Sequence, residues 1–321
     1  MRTPIGKHSR SSRERGLNSN QKKLMNNIQL YNADNLEVMA TLPDESIDVI
    51  CIDPPYLYLK NQKLERHFDE PKFFTECKRL LTKEGFIVLF GRGTSFYRWN
   101  TILDGLGFLF KEEVIWDKRR ITSPALPLGR RHESISVYTK KDGQINDVLV
   151  PYEEHKFFDI DKIVNDISRV ESTLKKPHLL THIKHCLKDK KRVEDIFYKA
   201  KKDKYKVAYN GNVVNKDVGI ATLNTFFIGN KETSVISDFG VKYKKIHPTQ
   251  KPVRLLERLL ALVIPKDKPR NEIVVADFFA GSMSCMEAVH NMGMRGIATE
   301  IDEEYFEKGK QRIEGLQPLL F

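Results

Sequence analysis

Residues 49–56 read Val-Ile-Cys-Ile-Asp-Pro-Pro-Tyr, and no other stretch restricts the fold so strongly. An unbroken apolar run rich in β-branched residues reads as a strand covered on both faces. The two prolines that follow lack backbone N–H groups and have a fixed φ, so the hydrogen-bond ladder cannot continue past Asp53. A buried strand therefore stops at a sheet edge, with a carboxylate at its tip.

The surrounding chain supplies such a sheet. Periodicity predicts strands over 28–31, 47–52, 86–90, 108–116 and 134–139, and helices over 35–42, 72–81 and 95–106. Asp34 is placed to cap the first helix, Glu84-Gly85 to break the second and Gly107 to close the third. Strand-helix alternation with fully apolar strands implies a largely parallel, doubly wound sheet. Between 141 and 240 that rhythm is lost and lysines cluster; residues 175–206 hold twelve Lys and Arg against four Asp and Glu. The rhythm then returns, with helices over 252–264, 283–292 and 302–316 and strands over 272–276 and 296–299. The predicted organisation is a flexible basic arm (1–27), one half of a sheet domain (28–140), a basic, mostly non-sheet insert (141–240) and the other half (241–321).

Charge and cysteine content narrow the class. The net charge of +11 points to a polyanionic partner, nucleic acid first. Cys51, Cys77, Cys186 and Cys285 show no C-x-x-C spacing, so neither a zinc ribbon nor a disulfide framework is indicated and a reducing cytosol fits. No apolar run approaches the ~18 residues of a membrane span. The first 20 residues are basic and Ser-rich without an apolar stretch, unlike a secretory signal.

A second motif lies near the C-terminus. A strand ends at Asp277, a turn containing Gly281 follows, a helix begins near Ser282, and the next strand ends at Glu300. This is the plan of a nucleoside-cofactor site: glycine admits a ligand close to the backbone, and an acid after the second strand accepts both ribose hydroxyls. The G-x-G-x-x-G fingerprint is missing, which disfavours NAD and FAD. An ordinary βα turn with a solvated acid gives the same pattern.

Asp53-Pro54-Pro55-Tyr56 suits one chemistry. A carboxylate oxygen and a backbone carbonyl on a rigid support make two acceptors, which match the two donors of an exocyclic amine. Holding both protons localises a lone pair that the aromatic ring otherwise withdraws. Tyr56 can stack on that ring, and a base reached in this way has left the duplex. The plainer alternative is a strand-ending turn with Asp53 as a local cap.

These residues resemble the amino DNA methyltransferases that use S-adenosylmethionine. Asp53-Pro54-Pro55-Tyr56 is similar to their catalytic motif, Asp277–Ser282 to the cofactor motif D-x-F-x-G-S-G, and His247-Pro248-Thr249-Gln250-Lys251-Pro252 to the His-Pro-x-x-Lys-Pro segment before it. The order, with the catalytic motif first, is similar to the β group, which includes many N6-adenine enzymes. The segment RRHESISVYTKK (130–141) also resembles that group. The resemblance implies a Rossmann-like methyltransferase sheet in which Asp53, Pro54, Pro55 and Tyr56 hold the amine. It implies a cofactor site of Asp34, His247, Thr249, Lys251, Asp277, Phe279, Gly281, Ser282 and Glu300, with His247, Thr249 and Lys251 near the methionine carboxylate. Two positions depart from the pattern. Met283 stands where the family has a second glycine, and a side chain there would crowd the cofactor, be absorbed by a shifted loop or mark an impaired enzyme. Phe278 stands where proline is common. Leu57-Tyr58-Leu59 would close the pocket or simply pack.

DNA recognition falls to the basic segments. Arg119, Arg120, Arg130 and Arg131 flank a Pro-containing loop; Lys190, Lys191 and Arg192 belong to the insert, where Phe197, Tyr198 and Tyr205 are interleaved. His178, His182 and His185 beside Cys186 read as a solvated or phosphate-facing stripe rather than a metal site. The expected activity is methylation of adenine N6 in duplex DNA by a cytoplasmic, nucleoid-associated bacterial or phage enzyme. It would be solitary or paired with a cognate restriction endonuclease, with a homodimer implied by the resemblance. N4-cytosine methylation, an RNA substrate, or a DNA-binding protein of this fold with weak or no activity are the alternatives.

Overall fold

The computed structural model describes residues 22–25, 27–56, 66–122, 126–156, 159, 161–166, 225–226, 228–239 and 245–317. Leu57-Tyr58-Leu59, Lys190, Lys191, Arg192 and the histidine stripe lie outside these residues. The described residues up to Asn146 and from Thr233 form one compact unit, and those within Asp147–Glu232 a second.

The first unit is built on a nine-stranded sheet in the order β1-β2-β11-β10-β3-β4-β6-β5-β9. Its strands are β1 (Lys22–Met25), β2 (Ile28–Tyr31), β3 (Ile47–Ile52), β4 (Leu81–Gly91), β5 (Leu109–Asp117), β6 (His132–Thr139), β9 (Val235–Ser237), β10 (Val274–Asp277) and β11 (Arg295–Thr299). The helices are α1 (Asn35–Met39), α2 (Glu70–Leu80), α3 (Gly93–Gly105), α5 (Val253–Val263), α6 (Ser284–Asn291) and α7 (Glu303–Glu314). In the second unit β7 (Leu149–Val150) pairs antiparallel with β8 (Asn230–Lys231), α4 (Tyr152–His155) follows β7, and the rings of Tyr152 and Phe226 lie 3.9 Å apart.

Alternation within the strands fills two cores. Every residue of β3 is buried. Val49 and Cys51 join Val88, Phe90, Val275 and the apolar stripe of α5 (Leu255, Leu256, Leu259, Leu260, Val263) on one face. Ile50 and Ile52 join Ile87, Leu89, Phe73 of α2 and Trp99 of α3 on the other. Each such side chain contributes about 1.5–3 kcal/mol on burial. Helices on both faces leave no solvated side, which is why the central strands carry no polar alternation.

The two sequence halves meet at the centre. β10 pairs in parallel with β3, Val275 opposite Val49 and Ala276 opposite Ile50. Because β2, β11, β10, β3 and β4 run parallel, their C-terminal ends share one edge. That edge is the ligand-binding edge of an open α/β sheet. β6 lies antiparallel between β4 and β5, so its first residues and the last residues of β5 reach the same edge.

Three sequence expectations are corrected. The end of the predicted flexible arm is paired: Lys22–Met25 forms an antiparallel ladder with β2, Met25 opposite Ile28. The predicted break at Glu84-Gly85 falls inside β4, because α2 ends at Leu80 and the strand starts at Leu81. The second compact unit is also narrower than the insert predicted over 141–240. Asn146 belongs to the sheet unit, where it is tied to Leu262 through its N–H, and β9 pairs with β5.

Candidate active site

Asp53 is the first residue beyond β3 and faces a cavity at the parallel edge. Asp34, Asp53, Pro54, Pro55, Tyr56, His247, Thr249, Lys251, Phe279, Gly281 and Glu300 all line this cavity, together with Glu133, Arg66, His67 and Phe68. Asp277 and Ser282 line an adjoining recess with Lys251 and Gly281. Residues from both ends of the chain thus converge because β3 and β10 are neighbours.

The Asp53 carboxylate is held from two sides. Oδ1 accepts from the Tyr56 hydroxyl at 2.6 Å and Oδ2 from Lys251 Nζ at 2.5 Å. The Tyr56 carbonyl accepts from Ser95 at 2.7 Å, and the Tyr56 ring lies 6.2 Å from Trp99. Lys251 also meets Glu133 at 3.0 Å, and the other oxygen of Glu133 accepts from Lys118 at 2.5 Å. A row of alternating charge therefore runs from Lys118 through Glu133 and Lys251 to Asp53. Burial pushes the Asp53 carboxyl upward, with the neighbouring Glu133 adding to the rise, and the Lys251 ammonium opposes it only in part. Glu133 is also buried, yet Lys251 and Lys118 outweigh that cost and hold it at about 2. The Lys251 ammonium is buried as well, and the two carboxylates raise its pKa above the ordinary lysine value.

The Lys251 ammonium, which the resemblance sets near a methionine carboxylate, bridges Asp53 and Glu133. The resemblance over 130–141 assigns Glu133 no role. Glu133 reaches the site because Ser134 pairs with Gly91 at the C-terminal end of β4.

The glycine turn is braced on all sides. Gly281 has φ +48°, and a Cβ there would stand 3.4 Å from the His247 ring. Glu300 accepts from the Gly281 N–H through one oxygen and from the Asp302 N–H through the other, both at 2.8 Å. Burial raises Glu300 and, with Asp53 and Glu300 nearby, raises Asp277 to about 7. His247 packs on Tyr305 at 4.4 Å and contacts the Thr249 hydroxyl at 3.0 Å. Its burial, with the Lys251 charge, lowers it to about 4, so the ring is neutral at pH 7. Ser282 contacts Ser284 at 3.0 Å, and Arg312 donates to the Ser282 carbonyl at 3.0 Å. Phe279 stacks edge-on against Phe68 at 5.0 Å, whereas Phe278 is core. Asp34 caps α1 through the Leu36 N–H at 2.9 Å.

Met283 does not line the cavity. It adopts φ +58°, its side chain is fully buried, and it packs where a Cβ on Gly309 of α7 would come within 2.5 Å of its Cγ. The left-handed backbone turns the side chain into the core behind the turn rather than toward the ligand face.

Of the four arginines proposed for DNA, Arg131 is fixed to Asp117 by two bonds of 2.7 and 2.8 Å. That pair holds Asp117 at about 2. Arg119 lies 5.8 Å from the Phe239 ring, and Arg130 and Arg131 accept backbone bonds from Thr122 and Lys118. The described residues at the two ends of this segment are thus paired beside Glu133. Among the described residues no group of three His, Cys, Asp or Glu could hold a metal, and no helix is long and apolar enough to cross a membrane.

The fold is that of a Rossmann-like DNA methyltransferase. The PvuII DNA methyltransferase (cytosine-N4-specific) superposes with a TM-score of 0.55 at 15% identity, covering 92% of this chain and 88% of that one. The DNA methylase family, of the N6/N4 methyltransferase type, matches residues 47–311, and the chain belongs to it. Among curated relatives, the type II methyltransferase M.BglII of Bacillus subtilis is 24% identical over 89% of this chain and 69% of its own length. M.HpaI of Haemophilus parainfluenzae is 23% identical over 87% of this chain and 72% of its own.

Proposed function

We propose that the chain methylates N6 of an adenine flipped out of duplex DNA, with S-adenosylmethionine as donor. The observation that carries this reading is that Asp53, at the tip of β3, opens into the same cavity as Gly281 and Glu300. The residues fit the donor. Gly281 leaves space where a Cβ would meet His247, the acids Asp34, Asp277 and Glu300 suit hydroxyl and ammonium groups, and a neutral His247 adds no charge against a cation. When bound, S-adenosylmethionine supplies an electrophilic methyl group on a sulfonium.

The protein's part is orientation and proton handling. Asp53 and the Pro54 carbonyl take the two amine protons and localise the nitrogen lone pair. Each Asp53 oxygen keeps a lone pair beyond its bond to Tyr56 or Lys251. Alkylated nitrogen carries a surplus proton, and Asp53, raised by burial, accepts it. The basic segment 118–131 and the insert contact the phosphates, consistent with the +11 net charge. Relatives named as type II methyltransferases support a bacterial or phage cytoplasmic role alongside a cognate endonuclease. The resemblance supports a homodimer.

Sequencing of plasmid DNA incubated with the chain and S-adenosylmethionine tests the reading. Modified adenines within one short recurring sequence are expected, and an endonuclease specific for that sequence then fails to cut. N4-methylcytosine replaces the adenine assignment, and unmodified DNA refutes the enzyme.

A further inference from the structure

We propose that Lys251 reads the flipped base. Beside Asp53 it forms an acceptor–donor pair that grips the amine together with the adjacent ring nitrogen, and Glu133 holds it in that position. The inference rests on Asp53 being the partner of the amine and adds a base-contacting residue to it.

The amine-bearing bases share one edge. In adenine the C6 amine neighbours unprotonated N1, and in cytosine the C4 amine neighbours unprotonated N3. Each presents a donor beside an acceptor, on atoms attached to one ring carbon. Guanine and thymine present a ring N–H beside a carbonyl at the same edge. Asp53 and Lys251 show the complement of the first pattern: a carboxylate oxygen and an ammonium 2.5 Å apart, both lining the cavity. An ammonium has three donors. One goes to Asp53, and even with a second turned toward the Glu133 oxygen 3.0 Å away, an ion-pair contact that falls short of a hydrogen bond, a third is left for the ligand.

The surroundings fix the ammonium in place. Lys251 is 7% exposed, and its Nζ lies 5.0 Å from the Phe90 ring and 5.9 Å from the Trp116 ring. Two aromatic rings and two carboxylates therefore restrict it. A buried lysine serving Glu133 alone would be redundant, because Lys118 already pairs with that acid at 2.5 Å. The pair does not distinguish adenine from cytosine, and it excludes the other two bases in either case.

The test uses synthetic duplexes carrying one mapped site. The target adenine is replaced by 1-deazaadenine, which keeps the amine and substitutes C–H for N1; for a cytosine target the analogue is 3-deazacytosine. The ratio of kcat/KM on the natural base to that on the analogue is measured for the unaltered protein and for Lys251→Met. A ratio of about 10–100 is expected for the unaltered protein, the loss typical of a charge-assisted hydrogen bond. In Lys251→Met the ratio falls to the value set by the intrinsic reactivity of the two amines, whatever the overall rate. Any intrinsic difference in amine reactivity persists in both proteins and so cancels. A ratio near 1 in the unaltered protein overturns the proposal, as does an undiminished ratio in the variant. If Lys251→Met fails to fold, Lys251→Met combined with Glu133→Gln removes both charges together and takes its place in the comparison. No transfer to natural DNA refutes the methyltransferase reading instead.

Discussion

Replacing Met283 separates backbone strain from cofactor access. Its side chain is fully buried and its φ is +58°. Truncation to alanine removes core contacts, including those against Gly309, and keeps the left-handed strain; such large-to-small changes cost about 2–5 kcal/mol. Truncation to glycine removes the same contacts but relieves about 1 kcal/mol of strain, for a net cost of about 1–4 kcal/mol. Glycine is therefore the more stable of the two here, the reverse of the usual order next to a helix. Urea unfolding of the three proteins reads the order, and titration calorimetry with S-adenosylmethionine reads the affinity. Because Met283 lies behind the turn and not on the cavity wall, affinity stays constant in the folded variants. A Met283→Gly protein that binds about tenfold tighter, or 1.4 kcal/mol, or an alanine variant more stable than the glycine one, refutes the reasoning.

Three further outcomes follow from the site's charges. Glu133 is held at about 2, below its ordinary 4.5, so its stabilisation is present above pH 4.5 and lost as pH falls toward 2. Glu133→Gln flattens that part of an acid-unfolding curve and costs about 3 kcal/mol at pH 7, as for other broken buried pairs. Asp277 is raised from 3.8 to about 7. Its share of stability is present below pH 3.8 and lost as pH rises to 7, so Asp277→Asn is more stable than the parent at pH 8 and equal to it near pH 4, as thermal melts across pH will show. Gly281→Val places a β-branched residue at φ +48° against His247; a loss of stability of at least about 1 kcal/mol with weakened S-adenosylmethionine binding is expected in melts and calorimetry.

What the sequence disclosed and what it hid have physical causes. β3 was legible because an apolar run followed by two prolines permits little besides a buried strand ending at an edge. α5 was legible from five apolar positions at helical spacing. The convergence of Asp53 with the glycine turn was suggested only by motif order, since the β3–β10 pairing that produces it is non-local. The Lys251–Asp53 ion pair spans 198 residues of sequence, and periodicity carries no information about such a contact. Glu133 reaches the site only because β6 inserts antiparallel between β4 and β5, a choice of topology that strand-by-strand reading leaves open. Met283 looked like an obstruction because sequence shows that a side chain is present but not its direction. The left-handed φ and the small Gly309 opposite it set that direction.

The central claim is that Asp53 holds an adenine amine for methylation. Transfer of labelled methyl groups from S-adenosylmethionine to duplex DNA, followed by nucleoside analysis, tests it most directly with the parent chain and Asp53→Ala side by side. Label in N6-methyladenine from the parent, and none from a folded Asp53→Ala protein that still binds S-adenosylmethionine, is the predicted result. Undiminished label from the variant, or no label in DNA from the parent, contradicts it.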